Sequence, residues 1–225
     1  MKPKDLKAPF DWENRQVLLH DRILYVPNYY KKYQEYEFPG WSHPDLFPNN
    51  LPIKIEYCSG NGMWITHRAQ TDSKSNWVAV EMDFERVKKI WSKLKNWNLT
   101  NLLIACGEAF TTTHHYFPNN SVSEIFVNFP DPWPKRRHSK KRLFHKAFIQ
   151  ELKRIIQPDG IITIVTDDID YSERIISIFL KESELISCYP LPHYVTEIEG
   201  YGSSFFEELW RRKGKTIRYH RFKKV

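Results

Sequence analysis

Cysteine is scarce and scattered. Cys58, Cys106 and Cys188 are the only three in 225 residues, and no Cys-x-x-Cys spacing occurs. An odd, unclustered set argues against a disulfide framework and against a cysteine-built zinc site, and it suits a reducing compartment. Long apolar runs are missing as well, since none approaches the ~18 residues of a membrane helix. Met1–Asp5 leads into polar and aromatic residues without a signal-peptide core. No internal repeat is visible. The adjacent pair His114-His115 cannot both face one site from a regular helix or strand, so no metal is expected. These absences predict a cytoplasmic protein that uses neither membrane nor metal. What is present is ordinary for a folded chain: 41% hydrophobic and 27% charged residues, outside the collagen-like and disordered classes. Such a chain buries roughly 70% of its unfolded surface and needs no covalent staple.

Acid is absent from two stretches in particular. Residues 135–146 hold seven Lys or Arg and no acid, and residues 211–224 hold eight more, again with none. The remaining 19 basic residues face 27 acidic ones, so the rest of the chain carries −8 against a total of +7. Two concentrated cationic strips on an anionic body predict a polyphosphate partner, with nucleic acid the first choice.

Residues 1–50 are rich in aromatics and proline but show little periodicity, and they read as an irregular N-terminal extension. From residue 52 strand and helix signals alternate. Ile53–Tyr57, Trp77–Val80, Leu102–Ala105, Glu124–Phe129 and Ile161–Val165 read as strands, with a weak one near 185–190 and a clearer one at 215–222. Helices are expected at 62–70, after the N-cap candidate Asp83, at about 140–156 and at about 169–182. Pro158-Asp159-Gly160 reads as a turn. The alternation predicts an α/β fold, a mostly parallel sheet with helices on both faces. Ligands of such sheets bind at the carboxyl ends of the strands.

The residues at those ends are therefore the first candidates. The first strand runs into Glu56-Tyr57-Cys58-Ser59-Gly60-Asn61-Gly62, where glycines allow close backbone approach. The third glycine of a dinucleotide fingerprint is missing, because Ile65 stands in its place. A carboxylate just before the loop suits a cationic ligand such as S-adenosylmethionine better than a pyrophosphate. Glu81 ends the next strand, 19 residues after Gly62, at the distance of a ribose-binding acid, although it can equally favour a helix N-terminus. Glu108 follows the third strand, placed either to accept from an adenine amine or to open the next helix. After the fourth strand, Asn128-Phe129-Pro130-Asp131-Pro132-Trp133-Pro134-Lys135 presents Asp131 on a proline-stiffened loop, beside an indole and the start of the first cationic strip. That is the layout expected for a flipped base, with a carboxylate on its edge and an aromatic for stacking.

These residues resemble the bacterial tRNA (guanine-N7)-methyltransferases. The likeness runs from about Ile53 to the C-terminus and is strongest from Phe129 to Lys135, with a basic continuation to Arg142. It implies a Rossmann-like class I methyltransferase domain over residues 51–225, built on a seven-stranded sheet. The implied cofactor is S-adenosylmethionine and the implied partner tRNA, the acceptor being N7 of guanine 46 in the variable loop. By resemblance Glu56, Gly60, Gly62, Glu81, Glu108 and Asp131 bind the cofactor, and Asp131 is also the catalytic residue. Lys135, Asp167, Ser204, Phe206 and Glu207 match positions assigned to the tRNA substrate. Three positions depart from the family pattern. Cys58 replaces the first loop glycine, Glu108 stands where aspartate is common, and Ser204 replaces threonine. The resemblance leaves monomer and homodimer equally open. Two alternatives remain at this level: a class I methyltransferase acting on rRNA, protein or a small molecule, and a non-catalytic RNA-binding protein with the same fold.

Overall fold

The computed structural model describes the chain except residues 134–136, 138–141 and 203. It divides into two units, Met1–Phe117 and Pro118–Val225. In the first unit the strands are β1 (Leu18–His20), β2 (Ile23–Tyr25), β3 (Ile53–Tyr57), β4 (Asn76–Glu81) and β5 (Leu102–Cys106), in the spatial order β1-β2-β5-β4-β3. Contacts β2–β5, β5–β4 and β4–β3 are parallel, and only β1–β2 is antiparallel. Every residue of β4 is buried, which is why Trp77–Val80 reads as an unbroken apolar run: a strand covered on both faces has no polar side to show. The registers Tyr57↔Val80 and Glu81↔Cys106 bring the carboxyl ends of β3, β4 and β5 level.

Helix α1 (Met63–Thr71) follows the glycine loop, α2 (Phe84–Asn96) follows β4, and α3 (Ala109–Tyr116) follows β5. Asp83 caps α2 as its position suggests, its carboxylate accepting from the Glu85 and Arg86 amides at 2.9 and 3.4 Å. The buried face of α2 is Val87, Ile90, Trp91 and Leu94, at helical spacing.

Residues 1–50 are less irregular than their composition suggests. They contribute the hairpin β1–β2, two strands beyond the seven expected, and β2 extends the parallel sheet along β5. The hairpin turns on Asp21 (φ 51°) and Arg22 (φ 67°). Two positive-φ residues make the tight reversal that Asn-Gly normally supplies, so no turn signal marks it in the sequence. Distant partners hold it instead. The Arg22 guanidinium donates to the carbonyls of Leu46, Thr100 (2.7 Å) and Leu102 (2.8 Å), while Asp21 accepts from the Trp91 indole at 2.8 Å and pairs with Lys95. Leu46 and Phe47 are fully buried, and the Trp41 indole donates to the Tyr116 carbonyl at 2.7 Å.

The second unit holds β6 (Val122–Asn128), α4 (Lys146–Ile155), β7 (Ile156–Thr166), α5 (Ile169–Phe179), β8 (Leu185–Ser187), α6 (Phe205–Arg212) and β9 (Arg218–Lys224). The strand order is β6-β7-β9-β8; β6–β7 is parallel and the other two contacts antiparallel. Pro158-Asp159-Gly160 does not end a strand here. It is absorbed into β7 as an irregularity, with Val122 opposite Ile156 but Glu124 opposite Ile161 and Asp159 at φ 63°. Helix α4 begins at Lys146, later than the periodicity implies, with His145 as its N-cap. Helix α6 has no counterpart among the sequence expectations.

Two consequences can be measured. His220 on β9 is fully buried; its Nδ1 donates to the His193 carbonyl (3.1 Å) and its Nε2 accepts from the Ser172 hydroxyl (3.0 Å). Burial, helped by Arg218, lowers its imidazole to about 4, whereas the unfolded chain takes the proton near ~6.5. Between those values the unfolded state binds more protons. Stability is therefore complete above the upper value and falls with pH below it, by up to about 1.4 kcal/mol per pH unit. Urea unfolding at pH 7 and pH 5 is expected to show wild type losing about 2 kcal/mol more than His220→Phe. Cys58 sits at φ 59°, a left-handed conformation that costs a side-chain-bearing residue energy and explains the glycine preferred there in the family pattern. Cys58→Gly is expected to stabilise the fold by about 0.5–1 kcal/mol in the same assay, the relieved strain outweighing glycine's extra chain entropy.

Candidate active site

In the first unit the three expected acids Glu56, Glu81 and Glu108 lie at the carboxyl ends of β3, β4 and β5, three adjacent strands. Glu56 is 2% exposed, and its carbonyl accepts from the Ser59 hydroxyl at 3.0 Å. The turn that follows places Gly60 at φ 57° and Gly62 at φ 72°. At Gly62 a β-carbon would also meet Ile90 Cγ1 at 2.7 Å, so backbone angle and packing both demand glycine.

Glu81 bridges two loops. Its Oε2 accepts from the Gly60 amide at 2.7 Å and its Oε1 from the Asp83 amide at 2.9 Å. Burial raises its carboxyl above the usual carboxylate range against the opposing pull of those amides and of Arg86, 4.0 Å away. Each oxygen keeps a further lone pair, so the carboxylate can anchor the glycine loop and still accept from ribose hydroxyls. Glu108 opens α3, one of its two expected roles, and its carboxylate oxygens keep lone pairs for a further donor. Its carboxylate accepts from Phe110 N (3.0 Å), Thr111 N (2.7 Å) and Thr111 Oγ1 (2.8 Å). The Cys106 thiol between these acids is pushed up to about 12 by burial and by the charges of Glu81 and Asp83, so it stays neutral. A strand-end edge bearing carboxylates and hydrogen-bond acceptors repels pyrophosphate and suits a ligand with an ammonium, a sulfonium and hydroxyl donors. This set of acceptors fits S-adenosylmethionine. A cavity of about 330 Å³ lined by Arg22, Lys95 and Asn98–Thr100 lies at the amino end of β5, away from these acids.

In the second unit the loop after β6 is held at several points. The Tyr201 hydroxyl donates to Asn128 Oδ1 at 2.7 Å, Phe129 N donates to the Val165 carbonyl at 2.9 Å, and the rings of Phe129 and Phe206 lie 6.4 Å apart. Asp131 is exposed between Phe129 (φ 51°) and Trp133 (φ 44°), both left-handed. The Arg142 side chain donates to the carbonyls of Pro132 and Trp133.

The remaining expected residues are placed as follows. Ser204 caps α6, its hydroxyl accepting from Glu207 N at 3.1 Å. Glu207 is 7% exposed, and its Oε1 accepts from the Tyr219 hydroxyl (2.6 Å) and Arg211 Nε (2.9 Å), while its buried Oε2 has no hydrogen-bond partner among the described residues. Burial and this carboxylate raise the Tyr219 phenol far above its ordinary value. Asp167 is paired with Lys215, whose ammonium also lies 4.1 Å over the Trp210 ring. Lys135 falls outside the described residues. The structure thus gathers Asp131 and Phe206 around one loop of the second unit, and Glu56, Gly60, Gly62, Glu81 and Glu108 along one strand-end edge of the first.

The second cationic strip is less free than its sequence suggests. Arg211 pairs with Glu207, Arg212 with Glu208, Lys215 with Asp167 and Lys223 with Asp159. Lys224 donates to the carbonyls of Lys153 and Ile156 at 2.8 and 2.9 Å. The strip is acid-free along the chain but not in space. Sequence reasoning also passed over Asn128, Tyr201 and Arg142. Asn128 directly precedes the Phe-Pro-Asp run, which is a signal, whereas Tyr201, flanked by Gly200 and Gly202, carries none. Among the described residues no group of His, Cys, Asp and Glu is arranged to hold a metal, and no helix is long and apolar enough to cross a membrane.

Comparison with known proteins places this geometry. A family model described as "Putative methyltransferase" matches residues 50–219. A tRNA (guanine-N(7)-)-methyltransferase of Chlamydia trachomatis is 48% identical over 96% of this chain and 95% of its own. One of Chlamydia caviae is 45% identical over 100% and 98%, and one of Rubrobacter xylanophilus is 30% identical over 86% and 85%. Among solved structures, a SAM-dependent methyltransferase from Aquifex aeolicus superposes with a TM-score of 0.54 at 16% identity, covering 86% of this chain and 97% of that one. An rRNA methylase from Streptococcus thermophilus gives 0.54 at 11% identity, covering 79% and 89%. These likenesses establish the Rossmann-like class I fold. With identity this high along nearly the whole chain, the protein belongs to the tRNA (guanine-N(7)-)-methyltransferase family.

Proposed function

We propose that this chain transfers the methyl group of S-adenosylmethionine to N7 of a guanine in tRNA, the variable-loop guanine 46. The observation that carries this reading is the row of carboxylates Glu56, Glu81 and Glu108 on adjacent strand ends in a chain of this family. The donor supplies an electrophilic methyl group on a sulfonium centre. Glu56 is suited to its ammonium, Glu81 to its ribose hydroxyls and Glu108 to its adenine amine, while Gly60 and Gly62 let backbone approach closely.

Guanine N7 carries a free lone pair, so no proton has to leave before attack and no strong base is required. Catalysis then rests on alignment of the two reactants. Asp131 accepts from the N1–H and N2–H edge of the base and offsets the positive charge that develops on the ring as N7 is alkylated. Lys135, Asp167, Ser204, Phe206 and Glu207 bind the substrate, Phe206 by stacking. We place the enzyme in the cytoplasm, as a monomer or homodimer.

Incubation with labelled donor and unmodified tRNA is expected to yield 7-methylguanosine on nucleoside analysis. A chain that binds tRNA yet yields none would be the non-catalytic RNA-binding protein instead. Asp131→Asn should lower kcat roughly a hundredfold, the scale of losing one group that stabilises developing charge; full turnover by this variant would remove Asp131 from the mechanism. Phosphate contact falls mainly to the six cations of the first strip other than Arg142. The log of tRNA affinity should therefore fall with the log of salt at a slope of roughly −4 to −5, and a flat response would contradict it.

A further inference from the structure

We infer that Arg142, although it belongs to the first cationic strip, is a positioning residue for Asp131 and not a phosphate contact. This rests on the catalytic reading of Asp131 above. Its Nε lies 3.0 Å from the Pro132 carbonyl and 3.2 Å from that of Trp133, and its Nη2 lies 3.0 Å from the Trp133 carbonyl. The guanidinium therefore engages two consecutive peptide carbonyls directly after Asp131. The loop needs such a partner for two reasons. Pro130 and Pro132 have no N–H, so this stretch offers few donors of its own and must be tied down through its acceptors. Phe129 and Trp133, on either side of Asp131, both hold positive φ, at 51° and 44°, and such a backbone persists only where its surroundings over-determine it.

On one side that determination comes from the Phe129 amide on Val165 and from Tyr201 on Asn128. On the other side, among the described residues, Arg142 supplies it. A planar fork with donors fixed in direction can span two adjacent carbonyls, whereas a lysine ammonium on a flexible stem cannot hold both in one geometry. Exposed Asp131 thus stands on a loop pinned at its two ends, by β7 and the Tyr201 segment before it and by Arg142 after it.

The test compares Arg142→Lys and Arg142→Ala with wild type. Both variants are expected to lose at least tenfold in kcat at saturating tRNA. KM for tRNA should stay within about twofold, the salt slope of tRNA binding should be unchanged, and Tm should stay within a few degrees. In combination with Asp131→Asn, Arg142→Lys should add little further loss, because the two act through one group. Wild-type kcat in Arg142→Lys would overturn the inference. So would a raised KM for tRNA in Arg142→Ala with a salt slope shallower by about one, fully additive losses in the double variant, or an activity loss matched by the loss of folded protein. Any of these, with wild type still producing 7-methylguanosine, ends this inference alone; a wild type that makes none ends the functional reading with it.

Discussion

The buried carboxylate of Glu81 is the fixed point of the first unit. It ends β4, the strand between β5 and β3, and its two oxygens hold the Gly60 amide of one loop and the Asp83 amide of the next. The glycine turn depends on this, because it contains left-handed residues at 58, 60 and 62, only two of them glycine. A charge-assisted hydrogen bond to a backbone amide is stronger than a neutral one, and burial strengthens it again by lowering the local dielectric. The same burial opposes ionisation of the acid. The site thus keeps a carboxylate that is costly to ionise, with paired amides offsetting that cost. Asp83 continues the arrangement by capping α2, so loop, strand end and helix start form one hydrogen-bonded unit.

The second unit solves a related problem with a different chemistry. Around Asp131 the chain has prolines where the first unit has glycines. It therefore gains stiffness and loses amide donors, and its anchorage has to come from side chains: the Tyr201 phenol, the Phe206 ring and the Arg142 guanidinium. Further along, Glu207 gathers Tyr219 and Arg211 on one oxygen and leaves the other without a partner. A buried acceptor in that condition costs stability.

What was legible in the sequence follows from this chemistry. Strands β3 to β7 could be read because strands buried on both faces advertise themselves as apolar runs, and the acids could be read because they stand at the ends of those runs. The hairpin β1–β2 could not, since Asp21-Arg22 is no turn signal and is stabilised by residues far along the chain. Pro158-Asp159-Gly160 misled for the opposite reason: its local turn chemistry is real, but β7 pairs with β6 on both sides of it and incorporates it. The partners of the C-terminal cations were invisible because Asp167, Asp159 and the α4 carbonyls come together with them only in the folded state. For Glu108 the sequence offered two roles, and the geometry of Phe110 and Thr111 shows the helix cap, which the sequence alone could not single out.

The Asp21-Arg22 turn has a consequence for biosynthesis. Its anchors, the Trp91 indole and the Leu102 carbonyl, lie 70 and 80 residues downstream. Strands emerging early from the ribosome thus have no complete support until the chain has been made past residue 102. Until then β2 exposes an apolar edge that would mispair with other chains, so the N-terminal hairpin is where a slow or crowded synthesis would first go astray.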